Sequence, residues 1–552
     1  MQREAGFYCF NMRHRRLVIA LCLFALVFGF AGCTPRETPA EAGLRTKTLL
    51  LGNGAEPADL DPQIDTAYTD MNILVALFEG LTTLDELTGQ PQPGMAERWE
   101  ASPDGLEWTF HLRADARWSN GDPLTADDFV YSFRRILAPR LASEYAYMLK
   151  PLKNAEAINA GKITDLAALG VRAVDPHTLA LTLGEPCPWL LALAAHQAWF
   201  PVHRATIEKF GGMDQRGTRW TRPGNFVGNG AFALKEWTPN SRLIVEKNPY
   251  YWDAAHNRLN AVVFFPNEDI ATDERNFRAG QLHLTYDLPP EKIATYRDEA
   301  PQFLRIDPFL ETFYLRFNVT KPPLDNLKVR QALARALDRA AICRSVLRDS
   351  RAPAHAFTPP GTAGYTAQAN VPDDFAAARR LLAAAGFPGG KGFPTLEVQI
   401  KNDDLHRSVL EAIQQMWRRE LGINVVLAPL EQKTWIANQQ AMTYQICSSR
   451  WAGDYLDPNT FLDLWVTNGG NNQTGWSNPG YDRLIAEAAH TLDTVRRQAL
   501  QQQAEALLLD EVPIVPLFHG ARIYLIHPAV RNWQPTLLGL HRYQYVELGD
   551  AP

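Results

Sequence analysis

Cysteine is scarce. Of 552 residues only six are Cys, and beyond Cys33 only Cys187, Cys343 and Cys447 remain. Three thiols over so long a stretch allow one pair at most, which excludes a disulfide framework and leaves core burial as the source of stability. An excess of basic charge is also missing. Fifty-five Lys and Arg stand against 61 Asp and Glu, a formal net charge of −6, so no electrostatic footprint calls for a nucleic-acid partner. No P-loop, GxSxG, HExxH or CxxC motif occurs, and the 13 histidines are scattered without metal-ligand spacing, so neither a metal nor another cofactor is implied. Gly228-Asn229-Gly230 lacks the third glycine of a dinucleotide fingerprint and reads as a turn before the alternating Phe232–Trp237. Internal repeats and low-complexity tracts are absent. These gaps point away from an enzyme without excluding one, because catalytic groups are recognised by geometry.

What is present is an ordinary globular composition, 46% hydrophobic and 21% charged, long enough for about three domains. The N-terminus stands apart. Arg13, Arg15 and Arg16 precede the uncharged run Leu17–Gly32, which is too short for the roughly 20 residues of a membrane-spanning helix and suits a secretory signal over residues 1–32. Phe30-Ala31-Gly32-Cys33 resembles a bacterial lipobox, which makes Cys33 the candidate lipidated first residue of the mature protein; Phe30 departs from the aliphatic residue preferred there. A plain cleaved signal is the alternative, and Met12 is an alternative start. Residues 33–45 read as the lipidated Cys and a short polar tether.

Past the tether, Trp108–Arg113 alternates apolar and polar residues between the turn pairs Asp104-Gly105 and Asn120-Gly121, and Thr178–Leu183 reads as another strand. This stretch predicts an antiparallel-rich subdomain. Farther on, Leu396–Ile400 predicts a strand, His406–Leu421 an amphipathic helix stopped by Gly422, and Asn424–Leu427 the next strand. Strand, helix and strand within about 30 residues is a βαβ unit and hence a parallel sheet. Asp325–Ile342, Asp373–Ala385 and Tyr481–Leu509 add long helical patterns. The fold class is α/β with at least two lobes.

Several segments, in order, are similar to the periplasmic oligopeptide-binding proteins, the family 5 peptide and nickel receptors of ABC importers. They are Glu56-Pro57 with Leu60-Asp61-Pro62, Phe78–Leu81 (FEGL), the run Ala96–Pro139, and Asn229–Phe232. Asn248–Asp253 (NPYYWD), Val329–Ala332 (VRQA) and Trp451–Tyr455 with Pro458 continue the match. The resemblance implies a two-lobed hinged body with an additional subdomain. Lobe I would take 46–80, 205–310 and 522–552, the extra subdomain 81–204, and lobe III 311–521. It implies capture of an oligopeptide in a closing cleft and delivery to an ABC permease by a monomer anchored through its N-terminal lipid. A murein peptide, dipeptide, metal chelate or oligosaccharide as cargo, or a peptide-sensing signalling role, stay open on the same fold.

The resemblance also suggests ligand-binding residues. Asp454 stands where the family's Trp-x-x-Asp-Tyr places the carboxylate that receives the peptide α-ammonium; Asp-x-x-Asp-Pro is also good turn chemistry. Tyr145 and Tyr314 match cleft tyrosines, Trp451 resembles a pocket wall, and His406 matches a histidine that meets the C-terminus of longer peptides. Gln439 and Ser448 occupy positions where enteric relatives carry carboxylate-binding arginines, and Arg450 could substitute for them. Gln432 replaces a pocket tryptophan, and Glu311 and Ala452 replace the two cysteines of the relatives' disulfide. These departures imply a different length preference and ligand class from the broad tripeptide binders.

Overall fold

The stretch that reads as a tether is helical from Pro39. The computed structural model describes residues 37–549, so Cys33 and the apolar run lie outside the described residues. Thr38 and Glu41 close a capping box on the helix Pro39–Thr46, and Ala40 N–H donates to Gly280 O at 2.9 Å. His283 clamps it, with Nε2 2.9 Å from Ala40 O and Nδ1 accepting from Leu50 N–H at 3.0 Å. Four orphan donors at the helix start are thus partly satisfied locally, and the tether ends before Thr38.

The first strand, β1 (Thr48–Gly54), is followed by a short hairpin, β2 (Thr82–Leu84) with β3 (Pro91–Pro93). Next come β4 (Ala96–Ala101), β5 (Glu107–Leu112), β6 (Val171–Asp175) and β7 (Thr178–Thr182), an all-antiparallel sheet in the order β4-β5-β7-β6. In β5 the alternation places Trp108, Phe110 and Leu112 inside and leaves Glu107 exposed. The chain then lays β8 (Phe232–Thr238), β9 (Arg242–Lys247) and β10 (Ala261–Pro266) beside β1, with β1 and β10 parallel. One continuous apolar core, running from Leu49 to Leu548, joins both sheets.

Signature segments of the sequence turn out to hold this body together. Asp61 forms a two-pronged ion pair with Arg135, at 3.0 and 2.5 Å, and both side chains are sealed from solvent. The Glu79 carboxylate accepts from Tyr251 O–H and from Trp252 Nε1–H at 2.8 Å. Asn229 exchanges hydrogen bonds with the Glu79 backbone at 3.1 and 2.8 Å. Glycine is required nearby: a Cβ on Gly230 would stand 2.5 Å from the Leu77 carbonyl carbon and the Phe78 nitrogen.

The second body is built on β11 (Leu304–Phe317), β12 (Leu396–Lys401), β13 (Val425–Leu430), β14 (Ile446–Ala452) and β15 (Ile514–Leu525), ordered β13-β12-β14-β11-β15. The βαβ unit is as its spacing predicts. The helix Asp404–Leu421 buries Val409, Leu410, Ile413, Trp417 and Leu421, stops at Gly422 with φ +68°, and connects the parallel β12 and β13. Trp417 is fully buried and donates Nε1–H to Leu333 O at 3.0 Å, so truncation to Ala would cost about 3–5 kcal/mol. The pattern over Tyr481–Leu509 divides into two helices, Pro479–His490 and Thr494–Glu511, because Asp493 caps the second by accepting from Arg496 N–H. Cys187, Cys343 and Cys447 are buried and unpaired.

Two strands link the bodies. In β11 and β15, residues 304–309 pair with 520–525 and residues 312–316 with 514–519, and the register shifts between Phe309 and Thr312. A bulge bends the strand that carries it and is common beside binding sites. Gly520 lies against it, where a Cβ would meet the Glu311 side chain at 2.7 Å. This kinked ribbon is the structural candidate for the hinge.

The cleft and its carboxylate

Where β14 runs out of the second body, alternate side chains face two different cavities between the bodies. Arg450 and Ala452 line a cavity of about 450 Å³, whose other wall includes Tyr68, Tyr145, His196, Gln197 and Tyr286. Trp451 lines one of about 840 Å³, faced by Tyr147, Met148, Lys150 and Trp189. Asp454 and Tyr455 border both.

Asp454 follows Gly453, whose N–H is held by Leu310 O at 2.8 Å, and its own N–H donates to Thr460 Oγ1 at 3.3 Å. These bonds fix the backbone and leave the carboxylate free to project. Tyr147 O–H, reaching across from the first body, donates to Asp454 Oδ2 at 3.1 Å. No cation pairs with the Asp454 carboxylate among the described residues. Burial pushes its carboxyl above the ordinary range, and the Tyr147 hydrogen bond offsets only part of that. Tyr145 lies half-buried against His196, ring centroids 4.9 Å apart, and burial together with the Asp454 charge pushes its hydroxyl up to about 12. Trp451 is fastened through Nε1–H to Thr460 O at 2.8 Å. Arg450 extends over the cavity with 56% of its side chain exposed and donates to Glu311 Oε1 at 3.2 Å.

Two residues expected in the cleft do not line either cavity. Tyr314 is 1% exposed, packed edge-on against Phe357 and Trp465, with its hydroxyl accepting from Arg316 at 2.9 Å. The alternation of β11 turns it into the second body's core. His406 is also buried, its ring near Phe313 and Trp435, and the N-cap carboxylate of Asp403 already occupies the helix start. Nδ1 of His406 faces Asp403 at 2.8 Å, and burial lowers its pKa against the pull of that carboxylate.

The departures have local explanations. Glu311 and Ala452 are direct cross-strand partners, and Glu311 now anchors Arg450. Gln439 is buried, accepting from Ser449 Oγ at 3.1 Å, while Ser448 Oγ is buried without a partner and Gln432 is exposed. Tyr147 has no sequence signal of its own: it sits two residues from Tyr145 in one short turn, Glu144–Leu149, and only the fold separates their directions.

Two lobes joined by a bent two-stranded ribbon, with an uncompensated carboxylate and aromatic walls in the cleft, define a hinged solute-binding receptor. Residues 90–473 match the family model described as bacterial extracellular solute-binding proteins, family 5, middle region. The chain belongs to that family, with its α/β two-lobed fold. It is 37% identical over 537 residues to the periplasmic oligopeptide-binding protein OppA of Salmonella typhimurium, covering 95% of this chain and 96% of that one. Among solved structures it is similar to the murein tripeptide-binding protein MppA in its unliganded open form. The TM-score is 0.83 at 34% identity, covering 91% of this chain and 97% of that one. Against Haemophilus influenzae OppA in complex with RPPGFSPFR the TM-score is 0.69 at 32% identity, covering 92% and 99%. Among the described residues no helix is long and apolar enough to cross a membrane.

Proposed function

We propose that this protein is an extracytoplasmic receptor that captures oligopeptides with a free α-ammonium between its lobes and delivers them to an ABC permease. Asp454 carries the reading. A desolvated carboxylate is costly unless paired, and this one has a hydroxyl donor, no cation among the described residues, and cavities on two sides. A ligand ammonium completes it, and contacts from both lobes then favour the closed form. Tyr145, Tyr147 and Trp451 frame the first residues of the ligand with faces that tolerate varied side chains. Capture and release make or break no bond, so the role is transport.

The chain is secreted by its N-terminal signal and held to a membrane surface through lipid on Cys33. Loss of palmitate labelling in Cys33→Ser tests the anchor. Gln439, Ser448 and Gln432 favour a length preference unlike that of broad tripeptide binders, and the similarity to a murein tripeptide-binding protein makes cell-wall peptides a second cargo to test. Native mass spectrometry of residues 34–552, followed by denaturation and identification of released ligand, decides among them. Peptides two to five residues long support the main reading, muropeptides the second, and a sugar or metal chelate would refute both.

A further inference from the structure

A second carboxylate opens onto the larger cavity that Asp454 borders. Asp463 follows the short helix Asn459–Leu462 and lines the same 840 Å³ space between the bodies. Asn459 sets its position: Nδ2 donates to Asp463 Oδ2 at 3.2 Å and to the Tyr455 hydroxyl at 3.0 Å. The Asn459 N–H is in turn held by Asp457 Oδ1 at 2.9 Å. One neutral amide thus orients the Asp463 carboxylate and leaves its charge unanswered.

The charges around that space do not balance. Four carboxylates, Asp454, Asp463, Glu156 and Glu185, line it with two lysines, Lys150 and Lys162. Lys150 is taken by Glu156 at 3.5 Å, Lys162 is exposed, and Glu185 faces His490 at 4.0 Å. Asp457, beside them, is closed by a two-pronged pair with Arg497. Among the described residues no cation pairs with Asp454 or Asp463. Burial, and then the charges of Asp454 and Asp457, push the Asp463 carboxyl up to about 7. Tyr147, 51% exposed, and Trp189 wall the cavity with aromatic surface, which suits the aliphatic stem and charged head of a basic side chain.

We propose that Asp463 is a specificity residue that receives a basic side chain on the ligand's first residue while Asp454 holds its α-ammonium, so that the receptor favours peptides beginning with Lys, Arg or a related diamino acid. This rests on the peptide reading above and narrows its substrate class. Two cations carried by one residue answer two carboxylates that share one cavity. A first residue with an uncharged side chain answers Asp454 alone and leaves the second acid to take up a proton.

Isothermal titration of ligand-free protein near neutral pH with Lys-Ala-Ala, norleucine-Ala-Ala, Ala-Lys-Ala and Ala-norleucine-Ala tests it, since norleucine keeps the stem of lysine and lacks its charge. The wild type is expected to prefer Lys-Ala-Ala over norleucine-Ala-Ala by about 10- to 100-fold, the range of a charge-assisted hydrogen bond. Asp463→Asn should bring that ratio toward one while norleucine-Ala-Ala binds as before, and Asp463→Glu should retain part of it. Asp463→Ser repeats the test with a side chain too short to reach the ligand. The ratio for the second-position pair should be the same in wild type and variants. A preference that survives Asp463→Asn and Asp463→Ser, a second-position ratio that falls with them, or variants that lose charged and uncharged peptides alike overturns the assignment. A wild type that binds all four probes equally sinks the role of Asp463 alone. One that binds none sinks the peptide reading with it.

Discussion

Replacing Asp454 with Asn should move ligand affinity and protein stability in opposite directions. The substitution keeps the shape and the Tyr147 contact and removes the charge. In the wild type that charge is desolvated and faces no cation among the described residues, so its folded-state pKa lies above the unfolded value and the ionised form is disfavoured in the empty receptor. Asn removes that penalty, and the apo protein should melt at or slightly above the wild-type temperature. Binding loses the partner of a buried ammonium, a change worth about 3 kcal/mol and roughly 150-fold in Kd. Calorimetry with trialanine and N-acetyl-trialanine reads both effects in a cycle. Acetylation should cost the wild type about as much as the mutation does, and cost the Asn variant almost nothing. If the acetylated peptide binds wild type as tightly as the free amine, or if the variant loses stability along with affinity, the assignment of Asp454 is wrong.

The same shift sets a pH dependence: affinity for a free-amine peptide should fall on acidification at a pH higher than an ordinary aspartate would set, and titration calorimetry from pH 4 to 8 checks it. Tyr147→Phe removes the bond to Asp454 Oδ2 and should weaken binding about 3- to 10-fold by the same assay, with melting unchanged. Asp65, buried with Oδ2 unpartnered, has its carboxyl pushed up to about 8 by burial and by Asp70; apo stability should therefore decline as pH rises from 5 to 8, and Asp65→Asn should flatten that decline. Asp61→Ala strands the buried Arg135 guanidinium and should cost about 3–5 kcal/mol in denaturant unfolding, far more than a surface pair would.

Much of the fold is legible in the sequence because its strongest patterns are enforced by burial. The alternation in Trp108–Leu112 and the helical spacing of Val409–Leu421 each have one face against a core, so the period alone fixes their type. The signature motifs are legible for a different reason. Asp61, Glu79, Asn229 and Gly230 hold the first lobe together away from Asp454, so they announce the family while saying little about cargo. The position of Asp454 beside both cavities is legible only through the local pattern Trp451–Tyr455 that surrounds it. Tyr314 and His406 lie off both cavities because a matched position does not carry a direction: strand alternation turns one into a core, and an N-cap at Asp403 fills the helix start beside the other. Arg522 left no local signal. Its place beside the cavity depends on a register shift that no linear pattern encodes.

The three described cysteines have a practical consequence. Each is buried, and burial pushes the thiols up, to about 11 for Cys343 and about 12 for Cys447, so at neutral pH they offer almost no thiolate to a maleimide. In a chain beginning after Cys33, one cysteine placed at exposed Val174 and a second at exposed Val495 would be the reactive pair, one on each side of the cleft. Labelled with donor and acceptor dyes, the receptor would report its own closing as energy transfer, ligand by ligand, and a reducing buffer would find no disulfide to break among the described residues.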